Sequence, residues 1–276
     1  MSAAPGGAGR ASGKATRIGI VSAIAQEQQG LLAALQQPRQ VRHGSRDYAL
    51  GMLSGREVVL VLCGIGKVAA AATTTSLIVE FGCDTLLFTG VAGGLGDGVQ
   101  VGDVVIADTL LQHDLDARPL YPQYQVPDTG QAHFAADPGL SDRLHATAQA
   151  VFAPQARAVV DAATRQAFGL HAPRVHRGLI VSGDRFISTH ADSQVLRRAL
   201  PDALAVEMEG AAVAQVCHDY DVPFALVRTI SDRADDSAHL DFGRFIRAVA
   251  SPYSLALLAA LLQAGVTDAS ADRAGR

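Results

Sequence analysis

The chain has no tryptophan, and aromatic residues make up only 5% of its 276 positions. Cysteine is nearly as scarce: Cys63, Cys83 and Cys217 each stand alone inside an apolar segment. With no Cys-x-x-Cys pair and no Cys/His spacing, neither a disulfide framework nor a zinc site is indicated, and reduced, buried thiols in a cytoplasmic protein are expected. Charge is thin as well, at 18% charged residues, a formal net charge of -4 and no Lys/Arg cluster, which argues against a nucleic-acid partner. No run reads as long enough to span a membrane, and the Gly/Ala/Ser-rich start lacks the apolar core of a signal peptide, so no membrane partner is expected. Residues 1–16 read as a disordered extension and 267–276 as a disordered tail, which leaves one domain over 17–266.

Apolar residues are abundant at 49%, and in the absence of large aromatics Ala, Val, Leu and Ile must fill the core. That composition favours helices packed on a buried sheet. Short apolar runs of strand length occur at 17–22, 48–53, 57–63, 85–89, 104–107, 176–181 and 223–230. Helical patterns follow at Leu31, Leu32 and Leu35 (stopping near Pro38), in the Ala/Thr-rich run to Val79, and at 142–151, 156–163 and about 242–262. A polar, turn-rich segment separates Pro38 from Tyr48. The expected fold is α/β and single-domain: a central mixed, mostly parallel twisted sheet flanked by helices.

The stretch Ala205 to Cys217 carries Glu207 and Glu209 where an apolar strand-like run becomes an Ala-rich helix, with no Lys or Arg between Ala199 and Asp219. Carboxylates buried without cations are costly, so they point to a polar ligand or a proton to be placed. The plain alternative is that one caps the helix and the other faces water. Glu27 and Asp232 also stand near strand ends, where open parallel sheets bind ligands. Gly64-Ile65-Gly66-Lys67 fails as a phosphate loop, because Val61 and Val68 stand where a glycine and a hydroxyl residue are needed. The glycine-rich stretch from Gly90 to Gly98 reads as a loop after the strand at 85–89; it leads into another strand instead of a helix, against a dinucleotide fingerprint, and suits close backbone approach to a ligand. His113, Asp114 and Asp116 lack further metal-ligand spacing; residues 113–130 read as a mobile ligand-contacting loop. Phe186 and Ile187 are either core or pocket lining. No metal and no cofactor are expected. Three carboxylates, Glu27, Glu209 and Asp232, brought to one face of a sheet suit a reaction in which positive charge develops on the substrate, such as glycosidic cleavage through an oxocarbenium-like transition state.

Six ordered motifs also carry a resemblance: Gly19-Ile20-Val21-Ser22-Ala23 with Glu27, Gly64-Ile65-Gly66-Lys67-Val68-Ala69-Ala70, Gly90-Val91-Ala92-Gly93-Gly94, Ser182-Gly183-Asp184-Arg185-Phe186-Ile187, Val206-Glu207-Met208-Glu209-Gly210-Ala211-Ala212 and Arg228-Thr229-Ile230-Ser231-Asp232. Together they resemble the 5'-methylthioadenosine/S-adenosylhomocysteine nucleosidases, of the purine nucleoside phosphorylase superfamily. The resemblance implies a nucleoside phosphorylase-like fold, a homodimer, and a hydrolase releasing adenine from a thioadenosine. By the same resemblance Asp232 is the general acid at adenine N7, oriented by Ser231, and Glu27 attends the nucleophilic water. Glu209 holds ribose hydroxyls with Met208 beneath the sugar, Phe186 stacks on the base and the Ile187 backbone reads its edge. Glu207, Ala92, Gly93 and Arg228 complete the expected substrate-binding set. Val91 replaces the Ser or Thr of many relatives. Three alternatives remain at this stage: a nucleosidase for another adenine nucleoside such as aminodeoxyfutalosine, a phosphate-dependent nucleoside phosphorylase, and a silent nucleoside-binding protein.

Overall fold

A computed structural model of the chain describes residues 16–127, 129–234 and 242–265. The extension and tail expected at 1–16 and 267–276 lie, apart from Thr16, outside the described residues. The chain runs β1 (Ile18–Ser22), α1 (Ala25–Ala34), β2 (Gln36–His43), β3 (Arg46–Leu53), β4 (Arg56–Leu62), α2 (Lys67–Val79), β5 (Thr85–Gly94), β6 (Val104–Gln112) and β7 (His133–Ala135). It continues α3 (Pro138–Val151), α4 (Ala162–Ala167), β8 (Val175–Ser182), α5 (His190–Ala199), β9 (Ala203–Glu207), α6 (Gly210–Asp219) and β10 (Phe224–Asp232). A final helix comprises α7 (Phe242–Phe245), a π-helical turn (Ile246–Ala250) and α8 (Ser251–Ala264).

All the strands belong to one mixed sheet, and β5 is its hub. One edge of β5 pairs in parallel with β10. Its other edge pairs with β1 over Thr85–Phe88 and then with β9 at Gly93 and Gly94. Because β10 pairs with β6, β6 with β8 and β8 with β9, five strands close on themselves. From the hub β1, β4, β3 and β2 run outward, the last three as an antiparallel meander. Successive side chains on a strand face opposite ways. Ile18 and Ile20 accordingly pack with Leu31 of α1, Leu144 of α3 and Leu257 of α8, whereas Val21 joins Ala70 and Leu77 of α2 and Val213 of α6. Helices thus cover both faces, which is why β1 and most of β5 are buried throughout.

Several local expectations are corrected. The segment after α1 is a strand, not a loop: β2 is nearly all exposed, and an edge strand tolerates Pro38 because a proline lacks only the outward-facing donor. The glycines at 90–94 continue β5 instead of leaving it, since β10 pairs with them. Residues 156–161 are not helical; α4 starts at Ala162, capped by the Asp161 side chain on the Thr164 amide at 2.7 Å. Helix α5 was not anticipated. Finally, Phe242–Ala264 is 23 residues long and contains an 18-residue stretch of mean hydropathy 1.7, enough to cross a membrane by length and composition. The sequence reading had placed no such run. Its buried Tyr253, Leu257, Leu258, Leu261 and Leu262 lie in the core against the sheet.

Candidate active site

The C-terminal ends of β1, β5, β8, β9 and β10 surround a cavity of about 660 Å³, mouth included. Glu27 enters it from the first turn of α1. Its carboxylate turns back on the chain, Oε2 accepting the amides of Ala23 (2.8 Å) and Ile24 (3.1 Å), while Oε1 accepts the Val91 amide of β5 (3.0 Å). An acid three residues into a helix that reaches back to the entering amides is a standard local closure. Burial pushes the Glu27 carboxyl above its ordinary range, against the nearby Arg228 charge and the three amide donors.

Asp232 is the last residue of β10. The pairing of β10 with β5 slips between Ile230 and Asp232, and such a bulge re-aims a side chain at a strand end. Its Oδ2 accepts the Ser231 hydroxyl at 2.7 Å and its Oδ1 accepts the Ala234 amide at 2.7 Å. The glycines of β5 make room for these groups. A Cβ at Gly93 would lie 3.0 Å from Asp232 Oδ1, and one at Gly90 would lie 2.6 Å from Glu27 Oε1 and 2.5 Å from Arg228 Nη1. The glycine run therefore admits the protein's own charged side chains as well as any ligand.

Glu207 and Glu209 separate sharply. Glu207 ends β9, and its oxygens accept the Ser182 hydroxyl, the amides of Glu209 (3.1 Å) and Gly210 (2.9 Å), and Arg228 Nη2. It caps α6 and holds a buried cation. Glu209 keeps more of its capacity free: Oε1 accepts the Gly66 amide at 2.9 Å, and Oε2 lies 3.8 Å from Arg228 Nη2. Its pKa is pushed up to about 8, by burial first and by the Glu207 charge second, with Arg228 and the Gly66 amide opposing.

The remaining wall is apolar. Ile24, Ile65, Val91, Val206 and Met208 line it, and Phe186 stands half-exposed at the mouth, its ring centroid 6.2 Å from that of Phe242. Among the described lining residues the one cationic side chain is Arg185, and the one hydroxyl is that of Ser231. Among the described residues no group of three or more His, Cys, Asp or Glu could hold a metal ion. Asp114, a sequence neighbour of His113 and Asp116, pairs with Lys67 Nζ at 2.5 Å.

Comparison with known proteins agrees in extent and in fold. The phosphorylase superfamily model matches residues 17–263. The 5'-methylthioadenosine/S-adenosylhomocysteine nucleosidase of Neisseria meningitidis, solved with methylthio-immucillin-A, is 36% identical, with 90% of this chain and 99% of that one covered at a TM-score of 0.79. The chain belongs to the 5'-methylthioadenosine/S-adenosylhomocysteine nucleosidase family of the phosphorylase superfamily. The corresponding Streptococcus pneumoniae protein, solved with a transition-state inhibitor, is 31% identical over 90% of this chain and 99% of its own (TM-score 0.77). The S-adenosylhomocysteine nucleosidase of Streptococcus pyogenes, solved with 5-methylthiotubericidin, is 29% identical over 92% and 99% (TM-score 0.78).

In this member of the nucleosidase family the cavity gathers Glu27, Ala92, Gly93, Phe186, Ile187, Glu207, Met208, Glu209, Ser231 and Asp232 from the expected set. Two expectations change. Arg228 does not line the cavity: it is buried behind the floor, paired with Glu207. Glu207 does line it, but its carboxylate is occupied by protein donors, so it organises the site and leaves no free oxygen pair for substrate. The premise that these glutamates are buried without a cation fails for the same reason, since Arg228 lies on another strand. Sequence reasoning missed Ile24, Ile65, Arg185, Val206 and Phe242 as lining residues. Ile65 and Arg185 sat inside quoted motifs; Phe242, opening the last helix, carried no local signal.

Proposed function

We propose that the protein is a cytoplasmic N-ribosyl hydrolase, a single nucleosidase domain over 17–266, that cleaves 5'-methylthioadenosine and S-adenosylhomocysteine to adenine and the thioribose. The observation that carries this reading is the convergence of Glu27, Glu209 and Asp232 on one apolar-walled cavity whose described lining offers a phosphate almost nothing. Phosphorolysis would call for several cationic or hydroxyl donors, and only Arg185 and Ser231 are at hand.

The residues gathered in the cavity support the following chemistry. The purine lies against Phe186 with its edge at the Ile187 backbone, and N7 meets Asp232. As the C1'–N9 bond breaks, its electron pair enters the purine and Asp232 gives N7 a proton, making adenine a neutral leaving group. Positive charge develops on the ribosyl ring, and the buried carboxylates of Glu27 and Glu209 stabilise it. Water adds its oxygen to C1' and yields a proton to Glu27, whose affinity for a proton burial raises. Glu209 accepts the ribose hydroxyls, and Met208 supports the sugar. Ile24, Ile65 and Phe242 give the sulfur substituent an apolar seat. Exposed Ile65, Val68 and Leu120 would be covered in a homodimer.

The test is adenine release by the purified chain from 5'-methylthioadenosine, S-adenosylhomocysteine and inosine, with and without phosphate. Phosphate-independent release from the two thioadenosines is expected, and Asp232→Asn should lower it by roughly a hundredfold to ten-thousandfold with the fold intact. A strict phosphate requirement would overturn the reading.

A further inference from the structure

The Gly66 amide that reaches Glu209 belongs to a turn with little to hold it. Gly64 and Gly66 both take positive φ, 82° and 98°, and α2 begins there with no side-chain cap of its own. A cap comes from another part of the chain. Asp184, in the turn after β8, accepts the Lys67 amide on Oδ1 at 2.8 Å, and an anion at a helix N-terminus is favourable. The Asp184 amide in turn donates to Asp114 Oδ2 at 2.8 Å, and Asp114 Oδ1 accepts Lys67 Nζ at 2.5 Å. Lys67 Nζ also donates to Gln112 Oε1 at 3.0 Å, and Gln112 is itself bonded to Gln215 of α6 at 2.8 Å. The ring is therefore closed: Lys67 to Asp184, Asp184 to Asp114, Asp114 to Lys67. Although burial opposes ionisation of Asp114, the bonds from Lys67 and Asp184 outweigh it and hold the carboxyl below its ordinary range.

We propose that Asp184 and Lys67 are positioning residues, whose ring with Asp114 seats the Gly66 amide on Glu209 while fixing the turn that carries Phe186 and Ile187. One device then sets both the sugar-binding carboxylate and the base-stacking wall. Asp184 stands two residues before Phe186, and Lys67 one after Gly66, so displacement of either member moves both walls. The inference rests on the reading of Glu209 as the acceptor of ribose hydroxyls.

The groups whose charge bears on Glu209 are Glu207 on β9, Arg228 on β10, Glu27 on α1 and the Cys63 thiol just after β4. Burial, Glu207 and Glu27 favour its protonated form; Arg228 and the Gly66 amide favour the ionised one. An ionised Glu209 accepts both hydroxyls, so KM should fall as pH rises through its ionisation. Withdrawing the Gly66 amide moves that limb to higher pH.

The experiment measures kcat and KM for 5'-methylthioadenosine against pH in the full chain and in Asp184→Ala, Asp184→Asn and Lys67→Met, alongside thermal melts. Asp184→Ala should raise KM about tenfold with kcat changed less, and move the KM limb alkaline by roughly half to one pH unit. Asp184→Asn keeps an acceptor for the Lys67 amide and should restore both. If Asp184→Ala cannot be obtained folded, Lys67→Met is read by the same criteria. A lowered melting temperature with unmoved KM and pH limb would overturn the proposal, as would failure of the asparagine to rescue. Glu209→Gln separates the two layers. Should it leave KM unchanged, the sugar-site reading falls and the ring's role falls with it. Should it raise KM while Asp184→Ala does not, the ring alone is rejected.

Discussion

Arg228 and Glu207 form an ion pair beneath the cavity floor, with side chains only 1% and 3% exposed. The guanidinium carbon also sits 4.0 Å from the centre of the Phe88 ring, and Nη2 lies 3.8 Å from Glu209. One buried cation thus answers to Glu207, Glu209 and Glu27 together. Burial is the first reason that Glu209 and Glu27 both ionise with difficulty; at Glu209 the Glu207 charge adds to it, and Arg228 opposes it at both.

Replacing Arg228 with Met should therefore do more than remove one bond. Breaking a buried pair from one side leaves an uncompensated charge and costs roughly 3–5 kcal/mol. Urea denaturation at neutral pH should show a loss of that order. The variant's Glu209 should also titrate above its present value of about 8, since Arg228 is the larger of the two influences, with the Gly66 amide, that oppose burial there. A stability equal to that of the parent protein would mean that Glu207 is held without the cation.

Glu209 also gives stability a pH dependence. Its folded pKa of about 8 lies above the ordinary 4.5, so the folded state holds a proton that the unfolded chain has released. The associated stabilisation is complete below about pH 4.5 and is lost as pH rises through 8. Between those values Glu209 contributes a slope approaching about -1.4 kcal/mol per pH unit. Glu27 acts in the same direction, so the diagnostic is a difference: Glu209→Gln should remove close to one proton from the slope of unfolding free energy against pH. Parallel curves for the two proteins would contradict this.

Gly90 is where Glu27 and Arg228 approach, and an added methyl group has no room: its carbon would fall 2.6 Å and 2.5 Å from the two side chains. Gly90→Ala should destabilise by about 1–3 kcal/mol, as overpacking does. It should also reduce adenine release well beyond that loss of stability, because Glu27 is displaced. Circular dichroism melts and a turnover assay on the same sample separate the two effects.

Beside β10, where its backbone carbonyl accepts the Ile230 amide at 2.8 Å, fully buried Asp103 accepts four hydrogen bonds on its carboxylate, from His171 and His176 Nε2 and from the amides of Gln100 and Arg174. Burial raises its pKa, but those bonds prevail and hold it below the ordinary 3.8. Its stabilisation is present above about pH 3.8 and disappears as pH falls through the folded value. Asp103→Ala strands several donors and should cost about 2–4 kcal/mol in thermal or urea unfolding at neutral pH, with a smaller deficit in acid.

The carboxylates of the site were legible because they stand at or near the ends of apolar strands, within quoted motifs. Asp232 follows eight strand residues, and Glu27 stands five positions after β1 in a segment with no other acid. What escaped was non-local. The partner of Glu207 lies 21 positions onward, and nothing near Glu207 announces it. The Asp184 cap on α2 spans 117 positions. The reading of Gly90 to Gly94 as a loop failed because glycine's low strand preference was outweighed by pairing with β10 on one edge and β9 on the other. Helix α5 did carry a local signal, Thr189 with Asp192 three residues later and Arg197 and Arg198 at its end, and it was overlooked.

The closure of five strands at β10 also fixes when, during synthesis, the protein can become whole. β10 is the last of the described strands to emerge, yet it slots between β5 and β6, pairing with both. Until residue 232 has left the ribosome, two interior strands have bare edges, an invitation to unwanted pairing. The closing strand ends in Asp232 itself, so a nascent chain acquires its acid with the same strand that joins β5 to β6.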